Sequence, residues 1–166
     1  MFPSAREGFD GLVGAPEPSE GTARCLERFF RWGAAPTVDA YCGLFTADGT
    51  LLDADMAAPI DGPAIREAIT AVLTLLPDFR FAPLGVVADG PHAFVRAANR
   101  ATLGDRSLAW DAIYALTLVG DRIAAGRRYY DRAGLATGTS AFASAVPGAD
   151  ADRTGAVPRT PCDATL

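Results

Sequence analysis

The chain has 166 residues, a hydrophobic fraction of 49% and a formal net charge of −5 at pH 7. That length supports one compact core and is short for two ordinary domains. All 15 basic side chains are arginine, and they form no run that could supply a basic field, so a nucleic-acid surface is not expected.

Residues 1–18 are rich in Gly and Pro without periodicity, and they read as a flexible extension. The segment SEGTARCLERFFRWG then predicts a helix. Ser19 is its cap, Cys25, Leu26, Phe29 and Phe30 follow helical spacing, and Gly33 closes it. TVDAYCGLF predicts a second, short helix with Val38, Tyr41, Cys42 and Phe45 on one side. TADGT reads as a turn and TLLDAD as a short strand. In DGPAIREAITAVLTLLP, Asp61 lies near the cap and Pro63 in the first turn, while Ile65, Ile69, Val72 and Leu76 make a stripe, predicting a third helix.

The remainder is strand-like. In FRFAPLGVVAD, Phe79 and Phe81 share one parity and Leu84 and Val86 the other, so a bulge or bend is expected at Ala82-Pro83. Turns at ADGPH, LGDRS and VGD separate it from AFVRAANRATL, LAWDAIYALTL and RIAAGRRYYD. Helices first and an antiparallel meander second give an α+β class, with about three helices on one face of a sheet. Residues 136–166 return to an Ala, Gly, Thr, Asp and Pro composition and read as a flexible tail, leaving 19–135 as the domain.

Parity sorts the strand residues into faces. Trp110, Ala112, Tyr114, Leu116 and Leu118 share one face of their strand, and Asp111, Ile113, Ala115 and Thr117 the other. His92, Phe94, Arg96, Ala98 and Arg100 fall together, as do Ile123, Ala125, Arg127, Tyr129 and Asp131. Arg127, Arg128 and Tyr129 read as outer-face or interface residues, and His92 as a surface histidine. Parity leaves open which face is the inner one.

Cys25, Cys42 and Cys162 show no CxxC spacing and His92 is the single histidine, which argues against a Cys/His zinc site. No GxSxG elbow supports a Ser-His-Asp triad. The N-terminus lacks a basic segment followed by an apolar run, and no apolar stretch approaches a membrane span, so a soluble cytoplasmic protein with reduced thiols is expected.

The order helix, short helix, LFTADGTLLDAD, DGPAIREAI, meander and GDRIAAGRRYYD resembles the nuclear transport factor 2-like superfamily over about residues 20–135. Within it the chain looks most like SnoaL-like polyketide cyclases, ketosteroid isomerases and limonene-type epoxide hydrolases. The resemblance implies a cone-shaped, curved antiparallel sheet that takes a small apolar molecule, usually in a homodimer. It implies that Arg96, Tyr114 and Asp131 point inward. Asp53 resembles the isomerase aspartate, Tyr114 stands where that family keeps an oxyanion donor, and Phe29 or Phe30 replaces its helix tyrosine. Arg96 and Asp131 match two members of the epoxide hydrolase Asp-Arg-Asp set; Ala98 stands for the other aspartate, and Leu51 and Asp53 for its water-holding Tyr and Asn. The implied catalytic group is therefore Asp53, Asp131, Arg96 and Tyr114. Trp110, Phe94, Leu51, Leu116 and Phe30 would line the cavity.

Two acids in different protonation states can serve as acid and base at one pH without a metal or cofactor. A cofactor-independent cyclase or isomerase acting on a polyketide- or terpenoid-like intermediate is the function this predicts. An epoxide hydrolase or epoxide-opening cyclase, and a non-catalytic ligand-binding module, are the alternatives. An Asp at a strand end such as Asp131 is ordinarily a solvated cap, and Tyr114 and Trp110 are ordinarily core aromatics.

Overall fold

Ser19 does begin the first helix. Its hydroxyl accepts the Thr22 amide at 3.1 Å, and α1 runs Glu20–Ala34. Cys25, Leu26, Phe29 and Trp32 form its buried stripe. Gly33 lies within this helix rather than ending it. A Cβ there would sit 2.6 Å from the Phe81 ring, so glycine lets the helix approach the sheet. The other helices are α2, Val38–Cys42, capped by Thr37, and α3, Gly62–Leu75, which begins at Asp61 and Pro63 as expected. Asp61 makes no side-chain cap bond.

The strands are β1 (Phe45–Leu52), β2 (Arg80–Asp89), β3 (His92–Leu103), β4 (Arg106–Val119) and β5 (Arg122–Tyr130). This computed structural model describes residues 17–54 and 56–131. The C-terminal tail, residues 1–16 and Asp55 lie outside the described residues.

The strands form one five-stranded sheet in the order β1-β5-β4-β3-β2. It is curved and unclosed, as the α+β reading requires. The β2-β3-β4-β5 meander is antiparallel, but β1 joins β5 in parallel. The three meander turns fall where expected, each with a glycine at positive φ: Gly90 at 51°, Gly104 at 62° and Gly120 at 59°.

One expectation needs correction in register. TADGT does not separate two elements. It belongs to β1, where the pairing slips between Phe45↔Ile123 and Thr50↔Ala125 and the chain loops outward within one strand. A Cβ at Gly49 would come within 2.8 Å of the Ile123 carbonyl, so the tight passage there needs glycine. In β2 the expected irregularity is present, with the pairing shifting between Pro83 and Gly85.

The slip that matters for function lies in β5. Leu118 pairs with Ile123 and Thr117 with Ala125, so Ala124 is an extra residue. One extra residue reverses every later side chain. Beyond it Gly126, Arg128 and Tyr130 turn toward the helices, while Arg127 and Tyr129 turn out. The inner face thus carries Phe81, Val95, Ala97, Asn99, Ala112, Tyr114, Leu116 and Arg128, and α1 packs against it. Thr22 ties this helix to the sheet by donating to the Gly90 carbonyl at 2.7 Å. No helix among the described residues is long and apolar enough to cross a membrane.

Candidate functional site

Between α1 and the inner face lies an aromatic wall. The Phe29 ring is 4.9 Å from Phe81 and 5.1 Å from Tyr114, edge-on to the latter, and Trp32 stacks beside it at 6.2 Å. Tyr41 meets Trp32 at 4.5 Å, and Phe79 meets Trp110 at 5.9 Å. Such a wall excludes water and leaves few polar partners.

A short polar chain crosses this wall. Asp53, one residue beyond β1, is only 3% exposed. The parallel β1–β5 pairing sets Leu52 opposite Arg127, which brings Asp53 beside Arg128. Nε of Arg128 donates to Oδ1 of Asp53 at 2.9 Å, and Nη2 donates to Oδ2 in a second, shorter contact. The Ala54 amide also donates to Oδ1, at 2.9 Å. Three of roughly four acceptor positions on the carboxylate are filled, leaving one on Oδ2.

Arg128 is also the direct cross-strand partner of Tyr114, and its guanidinium lies 5.3 Å from the Tyr130 ring centre. Burial opposes the charge on Arg128, but the adjoining Asp53 carboxylate outweighs it and holds the guanidinium well above its ordinary pKa. Burial likewise raises the Tyr114 phenol, offset in part by Arg128, and raises Tyr41. Both phenols are therefore neutral at physiological pH.

Asn99 fixes the direction of the Tyr114 proton. Its Nδ2 donates to the Trp110 carbonyl at 3.2 Å and the Ala97 carbonyl at 3.4 Å, so its Oδ1 must be the acceptor that faces Tyr114. The Tyr114 hydroxyl donates to it at 3.1 Å. Tyr114 thus spends its proton within the protein and offers its oxygen toward Arg128.

Of the residues expected at the site, Asp53, Tyr114, Leu51 and Leu116 are buried, and Phe30 and Trp110 are half-buried around the same core. Three lie elsewhere. Arg96 is on the outer face with its side chain 62% exposed, paired to Asp111 at 2.7 Å. Phe94 is 54% exposed on that face. Asp131 is exposed just past β5, beyond the outward-facing Arg127 and Tyr129. The resemblance set β3 one residue out of phase, and the Ala124 bulge does the same for β5. Arg128, expected outside, is the buried partner of Asp53. Asn99 has no role in the sequence reading, and Tyr41 enters it only on the apolar side of its short helix. The distribution of charge could have found the phase of β3, because His92, Arg96 and Arg100 alternate with Ala93, Val95 and Ala97.

Three comparisons bear on kinship. A search of curated proteins found no match. Among solved structures, a SnoaL-like polyketide cyclase assigned in Jannaschia is 16% identical with a TM-score of 0.61, the alignment covering 74% of this chain and 96% of that one. An LEH-like epoxide hydrolase of Mycobacterium tuberculosis is 17% identical with a TM-score of 0.61, covering 74% and 91%. A ketosteroid isomerase-like protein of Catenulispora acidiphila, bound to trimethylamine, is 17% identical with a TM-score of 0.60, covering 70% and 88%. At such identity these likenesses establish the fold alone. The sequence profile described as "SnoaL-like domain" matches residues 26–126, most of the described chain, and the chain belongs to that family.

Proposed function

We propose that this SnoaL-like domain is a cytoplasmic, cofactor-independent cyclase or isomerase that moves a proton on a small apolar intermediate of polyketide or terpenoid kind. The observation that carries this reading is the near-complete burial of Asp53 in an aromatic interior, paired with Arg128. The Asp53 carboxylate accepts from Arg128 and from the Ala54 amide, and water is largely excluded from it. The open position on Oδ2 takes a proton from the carbon next to a substrate carbonyl. As that C–H bond breaks, its electron pair moves to the carbonyl oxygen. The N–H groups of Arg128 not engaged by Asp53 meet the developing negative charge. In an isomerisation, protonated Asp53 returns the proton to another carbon. In a cyclisation, the carbanion attacks a second carbonyl and the proton goes to the new alkoxide.

Base and electrophile are then one ion pair, and Asp131 and Arg96 are not required. Tyr114, whose own proton goes to Asn99, positions Arg128. Proton transfer by one such group is worth about 10²–10⁴ in rate. The test is solvent-deuterium exchange next to the carbonyl of small cyclic and aryl ketones, followed by NMR. Asp53→Asn should slow exchange at least about 100-fold while circular dichroism shows the fold retained. Undiminished exchange in that variant would overturn the reading. Incorporation of labelled water oxygen into an opened epoxide would favour the hydrolase alternative. Tight retention of these probes without exchange would favour a binding module.

We also infer a homodimer formed through the outer face. Val87, Phe94, Ile113 and Tyr129 are each 46–54% exposed there, in a sheet that no described helix covers on that side. Phe94→Glu should shift sedimentation from dimer to monomer.

A further inference from the structure

We propose a second ligand site on the outer face, a groove beside the β2 edge that takes a small carboxylate- or phosphate-bearing molecule. The groove encloses about 620 Å³, and Arg80, Ala82, Ala98, Arg100, Ser107 and Ala109 are among its lining residues. Arg80, Arg100 and the alanines between them are on the sheet face opposite Asp53, six residues along β3 from the apolar patch at Phe94. Ala34 of α1 and the inner-face residues Phe81, Ala101 and Leu108 also line the groove where it reaches the sheet edge.

Two like charges face one another here. Arg80 and Arg100 are direct cross-strand partners of β2 and β3, both exposed on the same face. Like charges directly opposite on a sheet repel and are destabilising. Nη1 of Arg80 donates to the Phe79 carbonyl at 2.6 Å, which anchors that guanidinium. Arg100 makes no ion pair with any of the described carboxylates. The groove has a single acid, Asp78, whose Oδ1 already accepts the Thr102 amide at 2.8 Å. Bonds from Thr102 hold its carboxyl below the usual carboxylate range. One carboxylate beside two guanidiniums leaves a positive site on a chain whose net charge is −5.

An oxyanion between Arg80 and Arg100 would relieve their repulsion and gain charge-assisted hydrogen bonds from both. The floor beneath them is Ala82, Ala98 and Ala109. These short side chains leave depth for a compact apolar body, so the ligand class is a small organic acid or phosphate ester. Arg96, on the same face, differs because Asp111 already neutralises it.

The test is calorimetric titration of the full chain at low ionic strength with two probes, benzoate and inorganic pyrophosphate. Saturable binding of at least one is expected, and which one separates a carboxylate ligand from a phosphate ligand. Arg100→Gln and Arg80→Gln should each weaken it about tenfold, as loss of a charged hydrogen bond does. Arg96→Gln should leave it unchanged. Because the repulsion is then removed, free Arg100→Gln should melt no lower than the wild type, and the probe should no longer raise its Tm. Binding of neither probe, or equal affinity in wild type and Arg100→Gln, would overturn the proposal.

Discussion

The two faces of the sheet each hold an Asp–Arg pair, and the contrast between them shows what burial does to the same chemistry. On the inner face Asp53 and Arg128 have side chains 2% and 19% exposed, and on the outer face Asp111 and Arg96 are 54% and 62% exposed. Water competes for every hydrogen bond of the outer pair and screens its charges. Inside, each partner depends on the other, because nothing else described there neutralises either charge. A buried pair need not stabilise the fold relative to an apolar core, yet removing one member leaves a charge stranded. Placing such a pair in the interior is therefore costly in stability, and a catalytic use is a reason to keep it.

The sharpest way to break that contrast is to remove one inner partner. Asp53→Ala should cost about 3–5 kcal/mol in urea unfolding, since it strands the Arg128 charge. The double substitution Asp53→Leu with Arg128→Met should recover most of this loss, because a packed apolar pair replaces a satisfied ionic one. Ketone exchange should stay lost in the double variant. A double variant that regains both stability and exchange would show that the pair is merely structural.

Packing on the inner face gives the next largest effect. Gly33→Ala would drive a methyl group to within 2.6 Å of the Phe81 ring. Overpacking of this kind costs about 1–3 kcal/mol, and the denaturation midpoint should fall accordingly. An equivalent change at Gly85 on the outer side, where an added Cβ meets nothing within 4 Å, should cost far less.

How legible this was follows from the range of the forces involved. Helices α1, α2 and α3, the three glycine turns and the face shared by Trp110, Tyr114 and Leu116 rest on local periodicity, and each is present in the molecule. Arg128 was misplaced because the bulge at Ala124 is defined by pairing with Thr117 and Leu118 of β4, which nothing within RIAAGRRYYD announces. Asp53 beside Arg128 depends on a parallel contact between strands 75 residues apart. Arg96 shows the opposite case. Its outward direction is written in the alternation of charge with Ala and Val, and the family resemblance, which implies an inward side chain, runs against that local signal.

Alkaline pH probes the inner side more gently. Burial raises the Cys25 thiol from 9.0 to about 11, with Arg28 pulling the other way. The folded state then holds a proton that the unfolded chain releases first. The sign is a stability contribution intact below about pH 9 and lost as pH rises toward about 11. Denaturation midpoints taken across that window should fall, and the fall should be shallower in Cys25→Ala, compared by slope so that the lost packing does not enter.

The smallest effect is expected at the outer pair, where it completes the contrast. In the Phe94→Glu monomer, where the pair is open to water, Arg96→Gln and Asp111→Asn should each change stability by less than about 1 kcal/mol, and a double-mutant cycle should give a coupling of only about 0.2–1 kcal/mol that fades with added salt. In the dimer proposed above, the pair would lie among Phe94, Ile113 and Tyr129 and be shielded by the second copy. The coupling should then be larger in wild-type background than in the Phe94→Glu monomer. Equal, salt-sensitive coupling in both backgrounds would mean that this face stays open to water and that the dimer, if formed, uses another surface.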